Sequence, residues 1–126
     1  MRYTDNDQMC WKVNDDESLT YSKDCSTKFL YTTKNRIIDA ETEKCVAMAG
    51  TGNGYRIIMT DSCDNDRSVF VPAGDSFRNP STDKCIHPKT GRSPAEGETL
   101  VIYSGCDESR LSHKFMPGKN ILRVLN

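Results

Sequence analysis

The sequence predicts an all-β chain made of three like units of about 40 residues, closed around a common axis. Three observations carry this. The six cysteines fall as three copies of one pattern: the opening Cys10, Cys45 and Cys85 are spaced by 35 and 40 residues, and the closing Cys25, Cys63 and Cys106 by 38 and 43. Short runs rich in β-branched and aromatic residues, bounded by turn formers, recur at the same place in each copy. No stretch carries the i, i+3, i+4, i+7 apolar spacing of a surface helix over about 11 residues or more.

In the first unit Cys10-Trp11-Lys12-Val13 opens a strand, Ser18 to Cys25 returns, and Lys28-Phe29-Leu30-Tyr31 follows as a short aromatic strand. The second repeats this with Cys45-Val46-Ala47-Met48, Tyr55 to Cys63, and Ser68-Val69-Phe70-Val71. The third repeats it with Cys85-Ile86-His87-Pro88, Glu98 to Cys106, and His113-Lys114-Phe115-Met116. A lead-in strand precedes each copy: Met1–Thr4, Arg36–Asp39 and Ser76–Asn79. Turns are expected at Asn53-Gly54, at Pro72-Ala73-Gly74-Asp75 and at Pro117-Gly118. One such unit cannot bury its apolar face alone, and closing three together also removes exposed sheet edges. The architecture that fits is a single β-trefoil domain over residues 1–126, with repeats at about 1–33, 34–73 and 74–117 and a closing strand in 118–126. Asn120–Val124 is expected to close the barrel against the N-terminal strand.

Hydrophobic residues are 36% of the chain, so the core is thin and cross-links matter. An even cysteine count without a CxxC pair points to disulfides rather than zinc. Six cysteines allow fifteen connectivities, among which the repeat favours Cys10–Cys25, Cys45–Cys63 and Cys85–Cys106. Disulfides persist in oxidising compartments, which implies a secreted or extracellular protein. Met1-Arg2-Tyr3-Thr4-Asp5 runs into polar residues rather than an apolar leader core, so Met1 is expected to be a start added to a mature or excised domain. No apolar run reaches the ~20 residues that span a membrane. A net charge of −1 with interspersed signs gives no electrostatic footprint for nucleic acid.

The unit Lys44-Cys45-Val46, Ile57-Ile58, Asp61-Ser62-Cys63, repeated as Asp83-Lys84-Cys85-Ile86, Leu100–Tyr103, Gly105-Cys106, resembles the repeat of ricin-type β-trefoil lectins. That resemblance implies a disulfide in each unit and a shallow sugar site on some of them. The chain departs from the pattern at two places: Trp11 is the only tryptophan and lies outside a Gln-x-Trp signature, and the position of the sugar-holding Asp is Ala47 in the second unit and His87 in the third. The third unit, with His87-Pro88-Lys89-Thr90-Gly91, is similar to the His-Pro-x-Gly-Gly motif of mussel galactose-binding trefoil lectins, with Thr90 in place of the first glycine. The resemblance implies that His87 and Gly91 face a galactose-type sugar.

Read from the residues alone, a sugar site needs fixed hydrogen-bonding groups and an aromatic ring for the C–H face of the pyranose. The third unit offers His87, Lys89, Gly91, Tyr103, Asp107 and Arg110 around one staple, with the longest hairpin loop, Pro88 to Glu98. The second offers Tyr55, Asp61 and Asp64, and the first Trp11, Tyr21 and Asp24, with Trp11 expected in the core. Asp15-Asp16-Glu17 and Asp64-Asn65-Asp66 read as solvated turns, and no cofactor or metal is expected. With two histidines and all cysteines bridged, nucleophile–base pairs are scarce, so the chain is expected not to be an enzyme. The expected function is an extracellular carbohydrate-binding module for galactose-type glycans, with glycans or glycoproteins as partners, alone or within a larger multidomain extracellular protein. The alternative is a protein-recognition trefoil of cytokine, inhibitor or adhesion type.

Overall fold

A computed structural model of the chain describes residues 9–73, 76–90, 95–106 and 121–123. Eleven strands are found there: β1 (Cys10–Val13), β2 (Leu19–Ser22), β3 (Phe29–Tyr31), β4 (Ile37–Asp39), β5 (Cys45–Met48), β6 (Ile57–Thr60), β7 (Val71–Ala73), β8 (Ser76–Asn79), β9 (Lys84–Pro88), β10 (Leu100–Tyr103) and β11 (Ile121–Arg123). No α-helix occurs among the described residues. The expected lead-in strand Met1–Thr4 and the strand His113–Met116 lie outside them.

Three antiparallel hairpins, β1–β2, β5–β6 and β9–β10, have the same register. Cys10 faces Ser22, Cys45 faces Thr60, and Cys85 faces Tyr103. The last strand of one unit pairs with the first of the next, β3 with β4 and β7 with β8. Equal registers make positions equivalent, and the core follows from that equivalence. Trp11, Val46 and Ile86 form one buried triplet, Leu19, Ile57 and Leu100 a second, and Tyr21, Met59 and Ile102 a third. Trp11 meets Phe29 and Phe77 edge-on, with ring centroids 6.0 and 6.1 Å apart. The single tryptophan therefore belongs to the core. The disulfides are Cys10–Cys25, Cys45–Cys63 and Cys85–Cys106, each within one unit, with Cα separations of 5.3, 5.7 and 5.5 Å.

The hairpin tips close the ring. Each docks on the second hairpin strand of the next unit, in the same way each time. The Met59 amide donates to the Glu17 carbonyl at 2.8 Å, the Ile102 amide to Tyr55 at 2.9 Å, and the Tyr21 amide to Glu98 at 2.8 Å. The first tip sits on the second unit, the second on the third, and the third on the first. Isolated pairings of Ser18 with Ile58, Arg56 with Val101 and Thr20 with Thr99 mark the three seams. This is the β-trefoil arrangement.

Two expectations change in the second unit. The strand expected over Ser68–Val71 is instead a 3-10 turn, Asp66–Ser68, followed by β7. The Asn65 side chain caps that turn by accepting the Arg67 amide at 2.9 Å, and it ends the extended run. Pro72, expected in a turn, lies in β7, an edge strand where a missing N–H costs no ladder bond. The closing strand β11 runs parallel to β3, with Ile121 beside Phe29.

Candidate functional site

Side chains alternate between the two faces of a strand, so a hairpin of fixed register sends equivalent positions to equivalent places. Leu19, Tyr21 and their counterparts point to the core. The opposite face carries Lys12, Thr20 and Ser22 in the first unit, Ala47, Ile58 and Thr60 in the second, and His87, Val101 and Tyr103 in the third. In the second unit this face opens as a groove of about 130 Å³, lined among others by Ala47, Ala49, Ile58, Thr60 and Arg67. The Arg67 guanidinium bounds it by donating to the Ala49 carbonyl at 3.3 Å.

At the same positions the third unit is bulkier: His87 stands for Ala47, Lys89 for Ala49, and Tyr103 for Thr60. His87 is only 3% exposed, and its ring meets that of Tyr103 edge-on, with centroids 6.0 Å apart. Tyr103 is 46% exposed and Lys89 is exposed. The structure thus brings His87 and Tyr103 together and places Lys89 on the same face. What this face presents to solvent is the Tyr103 ring, with the histidine seated behind it as a packing partner. Gly91, Asp107 and Arg110 lie outside the described residues.

Two carboxylates hold the described ends of the long loop after Pro88. The Thr90 amide and hydroxyl donate to Glu98 at 2.8 and 2.6 Å, and the Ala95 amide donates to its other oxygen at 3.1 Å. Burial opposes ionisation of Glu98, but these three donors together outweigh it and hold its pKa below the usual 4.5. Glu96 reaches across the seam into the first unit. It accepts the Ser22 hydroxyl at 2.7 Å and the Lys23 amide at 2.8 Å, the hydroxyl being the main cause of its lowered pKa. The described parts of the loop, Thr90 and Ala95 to Glu98, are therefore strapped, with defined contacts in two units.

In the second unit Tyr55 is 52% exposed, and its ring lies over the backbone of Gly50 and Gly52. A Cβ on Gly50 would stand 2.5–2.7 Å from the ring, so the glycine is required by the approach of the ring. Asp61 and Asp64 are exposed. In the first unit Trp11 and Tyr21 are buried, and burial raises the Tyr21 pKa well above 10.0. Asp24 accepts the Ser26 amide at 3.0 Å and is kept ionised chiefly by Ser26. Among the described residues no cluster of His, Cys, Asp and Glu suits a metal ion. No helix among them is long and apolar enough to cross a membrane.

Sequence reasoning missed the seam. Arg56 pairs across it with Val101, which faces His87, and so the second unit adds a residue to the face of the third. Only the alternation in Arg56-Ile57-Ile58-Met59 hints at this, by sending Arg56 to the face opposite the core residue Ile57.

The fold and its repeated register define a β-trefoil. Among solved structures the chain is similar to a non-toxic homologue of type II ribosome-inactivating proteins from bitter gourd, in complex with α-methyl-D-galactoside. The TM-score is 0.60 at 16% identity over 77% of this chain, which spans 39% of that protein. It is also similar to the designed three-fold symmetric protein ThreeFoil, with a TM-score of 0.59 at 11% identity over 75% of this chain and 76% of that one. No protein-family model and no curated protein matches the sequence.

Proposed function

We propose that this chain is a secreted, non-enzymatic carbohydrate-binding module for galactose-type glycans, with its site on the outer face of the third unit. The observation that carries this reading is the exposed Tyr103 ring, braced edge-on by the buried His87 at the position where the second unit has an open groove. A braced, half-exposed ring offers an apolar platform to a pyranose without losing its own freedom on binding. Lys89, exposed on the same face, is the proposed donor to sugar hydroxyls, and Gly91, Asp107 and Arg110 complete the proposed set. Three intra-unit disulfides suit an oxidising, extracellular setting. The bitter gourd homologue, of the same fold, was captured with a galactoside. Its likeness to this chain is one of fold, so the sugar class rests on the third-unit motif.

Titration of methyl galactoside into labelled protein, followed by NMR, tests the proposal. Shifts at millimolar sugar are expected around Tyr103 and Lys89, and they are expected to vanish in Tyr103→Ala. A glycan-binding screen without any signal, together with unshifted Tyr103 resonances, would refute it.

A further inference from the structure

The face that carries Tyr103 is not neutral. Its register can be followed across three strands: His87 faces Val101 on one side, and Arg56 of the second unit faces Val101 on the other. The pairing of β9 with β10 continues past Pro88, because the Lys89 amide donates to the Thr99 carbonyl at 3.0 Å. Alternation then places His87, Lys89, Val101, Tyr103 and Arg56 on one face of this three-stranded patch. Adjacent strands lie ~4.8 Å apart, so Arg56 sits about 10 Å from His87, within the span of one sugar residue and a substituent. Opposite Tyr103 on the Arg56 side the chain carries Gly54, around whose missing Cβ there is open space. Among the described residues, no side chain fills that position beside Tyr103.

Two cations thus share the face of the tyrosine: Arg56 of the second unit, opposite Val101, and Lys89 of the third, one pair further along the hairpin. The equivalent positions of the second unit are Ala47, Ala49 and Ser18, none of them charged, and the cation on that face is Arg67 at the groove edge. Among the described residues Arg56 has one acidic partner, Asp16, with 3.7 Å between nitrogen and oxygen and both side chains more than half exposed. Asp16 is held below its usual pKa chiefly by the Ser18 hydroxyl, donating at 2.6 Å to the oxygen that does not meet Arg56. A loose, solvated pair of this kind leaves the guanidinium available to a better-placed anion.

We propose that the third-unit site selects acidic glycans, in which a sulfate or carboxylate on the sugar is held by Arg56 from the neighbouring unit and by Lys89. The proposal rests on the glycan-binding reading above and adds the charge class of the sugar and a residue from across the seam. A planar guanidinium suits a sulfate or carboxylate with two parallel N–H donors, while Lys89 supplies a point charge.

The test compares methyl galactoside with galactose 6-sulfate and methyl galacturonide by calorimetry at low and moderate salt. The acidic sugars are expected to bind about five- to tenfold tighter at low salt, with the advantage shrinking as salt rises. In Arg56→Gln the ratio of acidic to neutral affinity is expected to fall toward one, and in Arg56→Lys to be partly restored. Asp16→Asn removes the competing acid but keeps an acceptor for Ser18, and it is expected to raise the ratio. A neutral galactoside that binds as tightly as the acidic ones overturns the acidic selectivity and leaves the glycan reading standing. An acidic preference that survives Arg56→Gln overturns the role of the seam. Binding of none of the three sugars removes both proposals together.

Discussion

Replacing Asn79 by alanine tests how the second and third units are joined. The side chain is fully buried and works in both directions. Its amide donates to the Asp66 carbonyl at 2.8 Å and the Val69 carbonyl at 2.9 Å, while its oxygen accepts the Thr82 amide and hydroxyl, both at 3.0 Å. Truncation removes one partner from the Val69 carbonyl, leaves the Asp66 carbonyl with only the Val69 amide at 3.3 Å, and frees the Thr82 turn. Each lost partnership costs about 1 kcal/mol where water can partly replace it and up to ~3 where it cannot. The carbonyls belong to an exposed and a half-buried residue, so the low end applies, and the expected total is about 3 kcal/mol. For a chain of this size that is a fall in melting temperature of about 10–15 °C. Urea unfolding followed by the fluorescence of Trp11, the single buried tryptophan, under oxidising conditions measures it. Asn79→Asp sharpens the test. It keeps the acceptor for Thr82 but turns the donor into a carboxylate facing two carbonyls, so it is expected to be at least as damaging at pH 7 and to recover as acid protonates it. At the equivalent place in the second unit Asp39 only accepts, from the Glu41 and Thr42 amides, and Asp39→Asn is expected to cost under about 1 kcal/mol. Wild-type stability in Asn79→Asp at neutral pH would refute the reasoning.

Gly50→Ala is expected to cost about 1–2 kcal/mol by displacing the Tyr55 ring, and to cost little in a Tyr55→Ala background; a double-mutant cycle measures the coupling. Replacing Cys85 and Cys106 together by alanine is expected to lower stability by about 3 kcal/mol, read from the urea midpoint, because the loop they close has 20 intervening residues. The folded-state pKa of Glu98 is depressed, so its stabilisation is fully present above the unfolded value near 4.5 and is lost as pH falls through the lower folded value. Glu98→Gln is therefore expected to flatten the stability profile below about pH 5, and an unchanged acid limb in pH-dependent unfolding would contradict the strap.

The hairpins were legible because cysteine spacing and two-residue alternation are local signals. Cys45–Met48 and Leu100–Tyr103 fall where the pattern puts them, and the three bridges follow the repeat. The 3-10 turn was not legible, since Ser68-Val69-Phe70-Val71 has strand composition and the Asn65 cap outweighs it. The burial of His87 was hidden as well, because a histidine after a Cys-hydrophobe pair reads as polar until its neighbours are known. Arg56 escaped for a different reason. Its membership of the third-unit face depends on a pairing with Val101, 45 positions along the chain, and no local pattern carries such a contact.

Each staple encloses its own hairpin tip, and among the described residues the tips carry much of the exposed surface between the cysteines: Asp15 and Asp16, Asn53 to Tyr55, and Lys89, Thr90, Ala95 and Glu96. A protease outside the cell reaches exposed tips first. A cut at any of them falls inside a disulfide-closed ring, so the two pieces stay covalently joined and the trefoil keeps its whole chain. A cut in the turn at Thr33–Lys34, between two staples, leaves fragments held by packing alone. Nicked protein would then run as one band without reductant and as two with it, wherever the cleavage fell on a tip.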